Sequence, residues 1–384
     1  MTPHKEHEPP RRRAAGDVEE RAPVYGWARR AVYGGGGVVG GLARGVAAPL
    51  GWAWGVTSAR RMSRGAAQSG RRLSAPAVSV GNVTLGGGGK TSLVEWIVRG
   101  GGPHGAKVAV LSRGFGRSIA APRALAPGRV EAGVAEVGDE PALLARAGAW
   151  VGIGGDRFEA AFAVEELGGK PDLYVLDDGL QHRSVPRALD LVTFTAADLA
   201  APARCVPAGP LRQRPSWRPP HALWVVVDAD PRDREWPAGT IGRAYAAWWH
   251  GFPGTSATWE RETTVTLESW HAGGEDRFEP DGRPLVAFAG VARPESVADY
   301  AWGAGLEIAG LVAFPDHHPY TARDIATLRS ARPGAAFLTT EKDAVKCEPG
   351  WFGDAPAGVL RRRLRPADPA LLRHEIEQAI GWRT

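Results

Sequence analysis

Residues 77–98 read AVSVGNVTLGGGGKTSLVEWIV. A short apolar run passes into glycines, then into Gly89-Lys90-Thr91, then into a stretch with Leu93, Val94 and Ile97 at helical spacing. This is the strand–loop–helix order that a phosphate loop requires. Glycines let backbone N–H groups converge on phosphate oxygens, an approach that a Cβ would block. A helix starting near Thr91 would add its positive end. Lys90 is expected to reach the outer phosphates of a nucleotide and the Thr91 hydroxyl to bind Mg²⁺. The strict pattern has a glycine five places before Gly89, and Thr84 stands there instead. Glycine alone is weak evidence in this chain, because residues 34–37 are also four glycines with no Lys-Thr behind them. The Lys-Thr pair and its flanks therefore carry the reading, with the loop formed by Thr84, Leu85, Gly86, Gly87, Gly88, Gly89, Lys90 and Thr91.

Outward from this stretch, Val- and Leu-rich runs recur at 77–80, 108–111, 173–176, 191–194, 223–227, 285–289 and 336–339. Most do not alternate, as expected of strands covered on both faces. Helix-like segments at 92–99, 141–147 and 157–167 lie between several of them. That rhythm predicts an α/β fold with a doubly wound, mainly parallel sheet of the P-loop NTPase type. Residues 234–283 interrupt it with Trp, Thr, Gly and charge, an expected β-ribbon at 263–270 and a turn at Asp281-Gly282. The expected organisation is a leader at 1–74, a core at 75–233, a ribbon linker at 234–283 and a second, smaller α/β domain at 284–384. The length of 384 residues suits two domains.

The run at 173–176 ends in Asp177-Asp178-Gly179. Carboxylates at the carboxyl end of a parallel strand lie beside a phosphate loop, where Mg²⁺ needs oxygen ligands. The plain alternative is a solvated turn closing a strand. The two motifs together indicate nucleotide hydrolysis or phosphoryl transfer and leave the acceptor open.

The composition, 43% hydrophobic and 23% charged, excludes wholesale disorder. Two distant cysteines, Cys205 and Cys347, offer neither a metal knuckle nor a disulfide framework. The net charge of +5 is uneven: residues 1–73 carry 13 Lys/Arg against five Asp/Glu. An anionic surface is the expected partner of such an arm. Residues 31–57 are apolar but broken by Arg44 and Pro49, so neither half reaches the ~20 apolar residues of a membrane span. Leu50, Trp52 and Trp54 beside Arg60, Arg61 and Arg64 suit a segment lying in the headgroup layer. A Gly-rich leader with a basic tail is the alternative.

Taken in order, SVGNVTLGGGGKTS, LSRGFGR, VGDEPALLA, LDDGLQHR, PAGPLRQ, FAGVARP, FPDHHPYT and TTEKDAVK resemble the tetraacyldisaccharide 4′-kinase family of lipid A biosynthesis. The resemblance runs from about Leu50 to Lys346 and includes the Thr at position 84; residues 1–25 have no counterpart in it. It implies transfer of the γ-phosphate of ATP to the 4′-hydroxyl of a tetraacylated glucosamine disaccharide 1-phosphate. It also implies peripheral attachment to the cytoplasmic face of the bacterial inner membrane, with ATP and Mg²⁺ required and neither nucleic acid nor an obligatory protein partner. Asp139 matches the family's catalytic aspartate and His317 the histidine that works with it. A carboxylate–imidazole pair can take the proton that the attacking hydroxyl loses. Read without the family, Gly-Asp-Glu-Pro is also a reasonable helix start and Asp-His-His a polar cap. Asp177 and Asp178 are expected at the metal with Thr91. Arg113, Arg117, Arg183 and Arg212 follow turns, and Arg113 and Arg212 are the two expected to hold substrate phosphates. Gln181 and His182 match the family's motif and are expected near the reacting group.

Three other classes compete. A membrane-recruited regulatory ATPase would need a water-positioning residue and no Asp139–His317 pair. A GTP-dependent metallochaperone would carry a Cys/His cluster and an [NT]KxD motif, whereas Thr340-Glu341-Lys342-Asp343 has its lysine one place late. A nucleic-acid-binding ATPase would interleave aromatics with the basic arm, which this chain does not do.

Overall fold

The computed structural model describes residues 18–20, 31–63, 71–86, 88–129, 133–215, 219, 221–227, 257–260, 267–269, 278–303, 305–361, 363, 365–366 and 368–383. Strands in chain order are β1 (Val18–Glu20), β2 (Ala77–Asn82), β3 (Val108–Ser112), β4 (Arg123–Leu125), β5 (Trp150–Ile153), β6 (Leu173–Asp177), β7 (Leu189–Thr195) and β8 (Ala222–Val227). They continue with β9 (Ala257–Glu260), β10 (Leu267–Ser269), β11 (Leu285–Ala289), β12 (Ile308–Ala313), β13 (Ala336–Thr340), β14 (Ala357–Leu360) and β15 (Arg365–Pro366). Helices are α1 (Gly37–Ser63), α2 (Lys90–Trp96), α3 (Val134–Val137), α4 (Asp139–Arg146), α5 (Arg157–Glu166), α6 (Ala196–Ala200), α7 (Glu295–Gly303), α8 (Ala322–Ala331), α9 (Glu341–Ala344) and α10 (Pro369–Ile380).

The first sheet has the order β15-β9-β8-β7-β2-β6-β3-β5-β4, and only its outermost pairs, β15–β9 and β5–β4, are antiparallel. Along β6, Leu173 and Val175 join the core under α2, α4 and α10, while Tyr174 and Leu176 join the core under α5. Period-2 burial on both faces is what makes the strand read as a continuous apolar run. β2 lies at the centre, where the strand order reverses between β7 and β6, and ligand sites form at the carboxyl ends of such strands. The second sheet, β1-β12-β11-β13-β14-β10, is parallel except for β10. The side chains of β11 alternate between a core holding Val297 and Tyr300 of α7 and one holding Ile325 and Leu328 of α8.

The mixed α/β, mainly parallel architecture expected from the sequence is present, with several corrections. β5 and β12 do not read as apolar runs in the sequence, because Gly152 and Gly310 interrupt them. Pro49 does not divide its apolar stretch, since α1 runs through it for 27 residues. Proline lacks one donor and crowds one carbonyl, and a helix can absorb that locally. β1 lies in the stretch that has no counterpart in the resemblance, and it pairs with β12. Of the expected ribbon at 263–270, β10 is the described part and it pairs with β14; the rest falls outside the described residues. The turn at Asp281-Gly282 is present, with Arg283 N–H donating to the Pro280 carbonyl at 2.9 Å.

The expected boundary at 284–384 also changes. β15 pairs with β9 on the first sheet, and Leu372 and Ile376 of α10 are fully buried in the first core. The chain therefore crosses to the second unit and returns. Leu372→Ala should cost about 2–5 kcal/mol by cavity formation in the first core. Denaturant unfolding checks this, and a loss below about 0.5 kcal/mol would place α10 outside that core.

Candidate active site

The loop after β2 turns sharply at two glycines. Gly86 has φ 92° and Gly89, the residue before α2, has φ 75°. A Cβ at Gly89 would also lie 2.9 Å from Val227 Cγ1, so position and conformation both demand glycine. From the first turn of α2 the Lys90 ammonium donates to Asn82 Oδ1 at 3.0 Å and pairs with Asp178 Oδ1 at 3.3 Å. Thr91 lines the same cleft. Gly87 lies outside the described residues. Thr84 is buried in a bridge to Leu211, and the Leu85 N–H donates to the Pro210 carbonyl, so these two anchor the loop and do not line the cleft.

Register brings the carboxylates to the loop. Val80 on β2 pairs with Asp177 on β6, and the turn that follows folds over β2, where Gly179 N–H donates to the Val80 carbonyl at 3.0 Å. That closeness depends on Gly81, whose Cβ would fall 2.4 Å from Leu180 Cβ. Asp177 is 2% exposed, and its Oδ1 has no hydrogen-bond partner. Burial, with the charges of Glu140 and Asp178, pushes its carboxyl up to about 7. Asp178 sits at φ 48° and answers Arg212, whose Nη1 donates to both of its oxygens at 3.0 Å. Burial raises the Asp178 carboxyl, but Lys90 and Arg212 together hold it below the ordinary carboxylate range. Two neighbouring carboxylates are thus driven apart by their surroundings, a frequent mark of functional sites.

The two units share the opposite wall, Asp139 coming from the first and His317 from the second. Asp139 opens α4, is 5% exposed, and accepts from the Glu140 backbone N–H at 2.9 Å. His317, four residues past β12, places Nδ1 3.0 Å from Asp139 Oδ2. Burial would raise the Asp139 carboxyl, but the bond to His317 and the charge of Lys342 hold it low. Burial would lower the imidazole, and the bond to Asp139 outweighs that and raises it. His317 has φ 61°, so two of the three described non-glycine residues with positive φ lie in this site. The Phe115 ring packs 4.9 Å from the imidazole. Lys342 of α9 lies 3.1 Å from His317 Nε2, 3.3 Å from Asp316 Oδ1 and 3.7 Å from Glu140 Oε1. Glu140 therefore connects the Asp139 wall with Asp177, on whose carboxyl its charge acts.

Lys90, Thr91, Asp177, Asp178, Arg113, Arg212 and His317 line one cleft of about 1360 Å³ between the two units, and Asp139 lies directly behind His317. Arg113 is exposed there, with no hydrogen bond or ion pair to it among the described residues. Gln181 and His182 do not line the cleft. Gln181 donates to the Asn82 carbonyl at 2.8 Å and accepts from Arg212, bracing the turn. His182 meets Ser184 at 2.9 Å, and burial with the charges of Arg157 and Arg187 lowers its imidazole to about 4. Arg117 donates to the carbonyls of Ala120 and Ala121, and Arg183 faces Asp190 at 3.9 Å. The sequence reading missed Asn82, Phe115, Glu140 and Lys342. All four lie inside the quoted motifs, which was the available signal.

This fold and site define a phosphate-loop phosphotransferase. The family described as tetraacyldisaccharide-1-P 4′-kinase matches residues 44–380. A tetraacyldisaccharide 4′-kinase of Methylobacterium radiotolerans is 38% identical over 335 residues, covering 87% of this chain and 93% of that protein. The protein of the same name from Geobacter sulfurreducens is 35% identical over 326 residues, covering 81% and 85%. The chain belongs to the tetraacyldisaccharide 4′-kinase family. Its fold is similar to the crystal structure of LpxK from Aquifex aeolicus in complex with ATP, with TM-score 0.64 and 23% identity over 88% of this chain and 99% of that one.

Asp177 yields a stability prediction. Because its carboxyl is raised on folding, the folded state holds an extra proton between about pH 4 and pH 7, and stability falls as pH rises through that window. Asp177→Asn should flatten this slope and raise the melting temperature near pH 8 without added metal. Thermal scans across pH check it, and a lower melting temperature of the variant at about pH 8 would contradict it.

Proposed function

We propose that the protein transfers the γ-phosphate of ATP to the 4′-hydroxyl of a tetraacylated glucosamine disaccharide 1-phosphate, as the names of its relatives indicate. The observation that carries this reading is the Asp139–His317 pair facing the phosphate loop across one cleft. A hydrolase would need to position a water; a kinase needs a group that relieves an acceptor hydroxyl of its proton, and this pair supplies one. Asp177, Asp178 and Thr91 would hold Mg²⁺. The fit rests on the orphaned, buried Asp177 Oδ1 and on an all-oxygen donor set. Among the described residues no group of three or more His, Cys, Asp or Glu is arranged to hold a metal ion by itself. That suits a metal held by one or two carboxylates and completed by phosphate oxygens. When bound, it supplies positive charge at the transferring phosphate.

The chain's own residues do the rest. Lys90 exchanges its contact with Asp178 for the nucleotide's outer phosphates. Arg113, exposed on the cleft wall, would hold a substrate phosphate, as would Arg212 on leaving Asp178. His317 and Asp139 receive the hydroxyl proton as attack proceeds. The pair spans the two units, so any closure of the cleft that excludes water from the γ-phosphate would keep it in place.

The lipid is met at a membrane surface in this reading. Val38, Leu42, Val46, Leu50 and Trp54 recur every fourth residue along α1 and are 80%, 66%, 83%, 65% and 51% exposed. No described helix is long and apolar enough to cross a membrane. An exposed apolar stripe ending in Arg60 and Arg61 suits peripheral contact with anionic headgroups, here the cytoplasmic face of the inner membrane. Trp54 Nε1 donates to the Arg212 carbonyl at 2.9 Å, which ties this helix to the site.

Lys90→Ala should remove nearly all turnover, and Asp139→Ala and His317→Ala should each lower the catalytic constant roughly 10²–10⁴-fold. The double variant should be scarcely worse than the poorer single one. Incubation with ATP, Mg²⁺ and detergent-dispersed acylated disaccharide 1-phosphate, read by mass for one added phosphate, measures all four. Multiplicative losses would show that Asp139 and His317 act separately. Val46→Glu with Leu50→Glu should weaken sedimentation with anionic vesicles at least tenfold, since each removes roughly 1.5–3 kcal/mol of apolar burial. Undiminished sedimentation would remove α1 from the membrane contact.

A further inference from the structure

The motif TTEKDAVK has no assigned duty, yet it puts Lys342 directly on the imidazole of His317. Nδ1 of that ring faces Asp139 at 3.0 Å, and Nε2 faces the Lys342 ammonium at 3.1 Å. An ammonium offers only donors, and a carboxylate offers only acceptors. Between them the neutral ring satisfies both neighbours in one tautomer alone: hydrogen on Nδ1, lone pair on Nε2. The ammonium is itself held in place, 3.3 Å from Asp316 Oδ1 and 3.7 Å from Glu140 Oε1. Burial would discharge Lys342, but Glu140 and Asp316 outweigh it and raise its pKa, so it stays a cation.

We propose that Lys342 is a positioning residue for the proton transfer: it holds His317 in the Nδ1–H tautomer and keeps Nε2 free of a proton until the acceptor hydroxyl arrives. The inference rests on the kinase reading above. As the acceptor hydroxyl arrives the ammonium yields the Nε2 lone pair and stays held by Asp316 and Glu140. The hydroxyl proton moves to Nε2 while the new P–O bond forms and the γ-phosphorus bond to the ADP oxygen breaks. The hydrogen on Nδ1 stays there, bonded to Asp139. The charged groups around His317 are Asp139 and Glu140 from α4, Asp316 from its own loop, Lys342 and Asp343 from α9, Lys346 just past α9, and Arg113 from the loop that carries Phe115. The acids favour a protonated ring, and Lys342 is the cation that touches it and opposes them. Without it the ring should titrate at higher pH and hold a proton where a base is needed.

The test uses the full chain labelled with ¹⁵N-histidine, with the His317 signals identified by their absence in His317→Gln. Near pH 8 the wild type should show protonated Nδ1 and unprotonated Nε2. In Lys342→Met the pH at which Nε2 takes a proton should rise. Turnover near neutral pH should fall roughly 10- to 100-fold, less than on removing His317 itself, and should recover toward alkaline pH. Lys342→Arg should keep the wild-type profile. A protonated Nε2 in the wild type near pH 8 overturns the proposal even if Lys342→Met fails to fold. So does an unchanged Nε2 titration in a folded Lys342→Met. The nitrogen signals need no lipid turnover, so failure of the kinase reading would leave this measurement standing on its own.

Discussion

The contact between His317 Nδ1 and Asp139 Oδ2, 3.0 Å long, exists only because the two sheet-bearing units meet at one cleft. Each partner is held in an arrangement that an isolated segment would not keep. Asp139 is 5% exposed at the start of α4, and His317 adopts φ 61° just past β12. Conformations of this kind persist where the surroundings over-determine them. Here the surroundings are the Phe115 ring, Lys342 and the Gly290 carbonyl that accepts from the His317 N–H.

The same logic governs the nucleotide side. β2 and β6 are neighbours in register, so the loop that would hold phosphates and the carboxylates that would hold a metal emerge side by side. Gly81 lets the Asp177-Asp178-Gly179 turn lie over β2, and that turn delivers Asp178 to Lys90 and Arg212. Asp177 remains buried without a partner for Oδ1, an arrangement that costs stability. Glu140 and Lys342 then join the two walls electrostatically.

The two units are held together by more than the cleft. α10 and β15 return the chain to the first sheet after the second is complete. Arg363 on that return path pairs with Glu95 of α2 at 3.3 Å and with Glu341 of α9 at 2.8 Å, touching both units at once. α1 is tied to residues beside the site through Trp54 and Arg212. A helix with an exposed apolar stripe thus sits one hydrogen bond from Arg212, which lines the cleft.

Much of this was legible in the chain itself. The step from apolar run to Gly-Lys-Thr to helical spacing marked the phosphate loop, because only glycine permits the turn at Gly89 and only a cation suits phosphate. The apolar run ending in Asp177-Asp178 marked a pair of carboxylates at a strand's carboxyl end, which the register of β2 and β6 sets beside the loop. What the chain could not display was the set of contacts made between distant segments. Lys342 reads as an ordinary helical lysine until folding lays it against His317, 25 residues away, and Glu140. Gln181 and His182 follow the Asp-Asp motif closely, yet the turn directs them into hydrogen bonds behind the cleft. α10 looks like part of the second unit because it follows it, but its apolar face fits the first. Local pattern depends on backbone geometry and solvent, which a short segment carries with it. Pairing across a cleft depends on which surfaces are left to bury, and only the complete tertiary structure decides that.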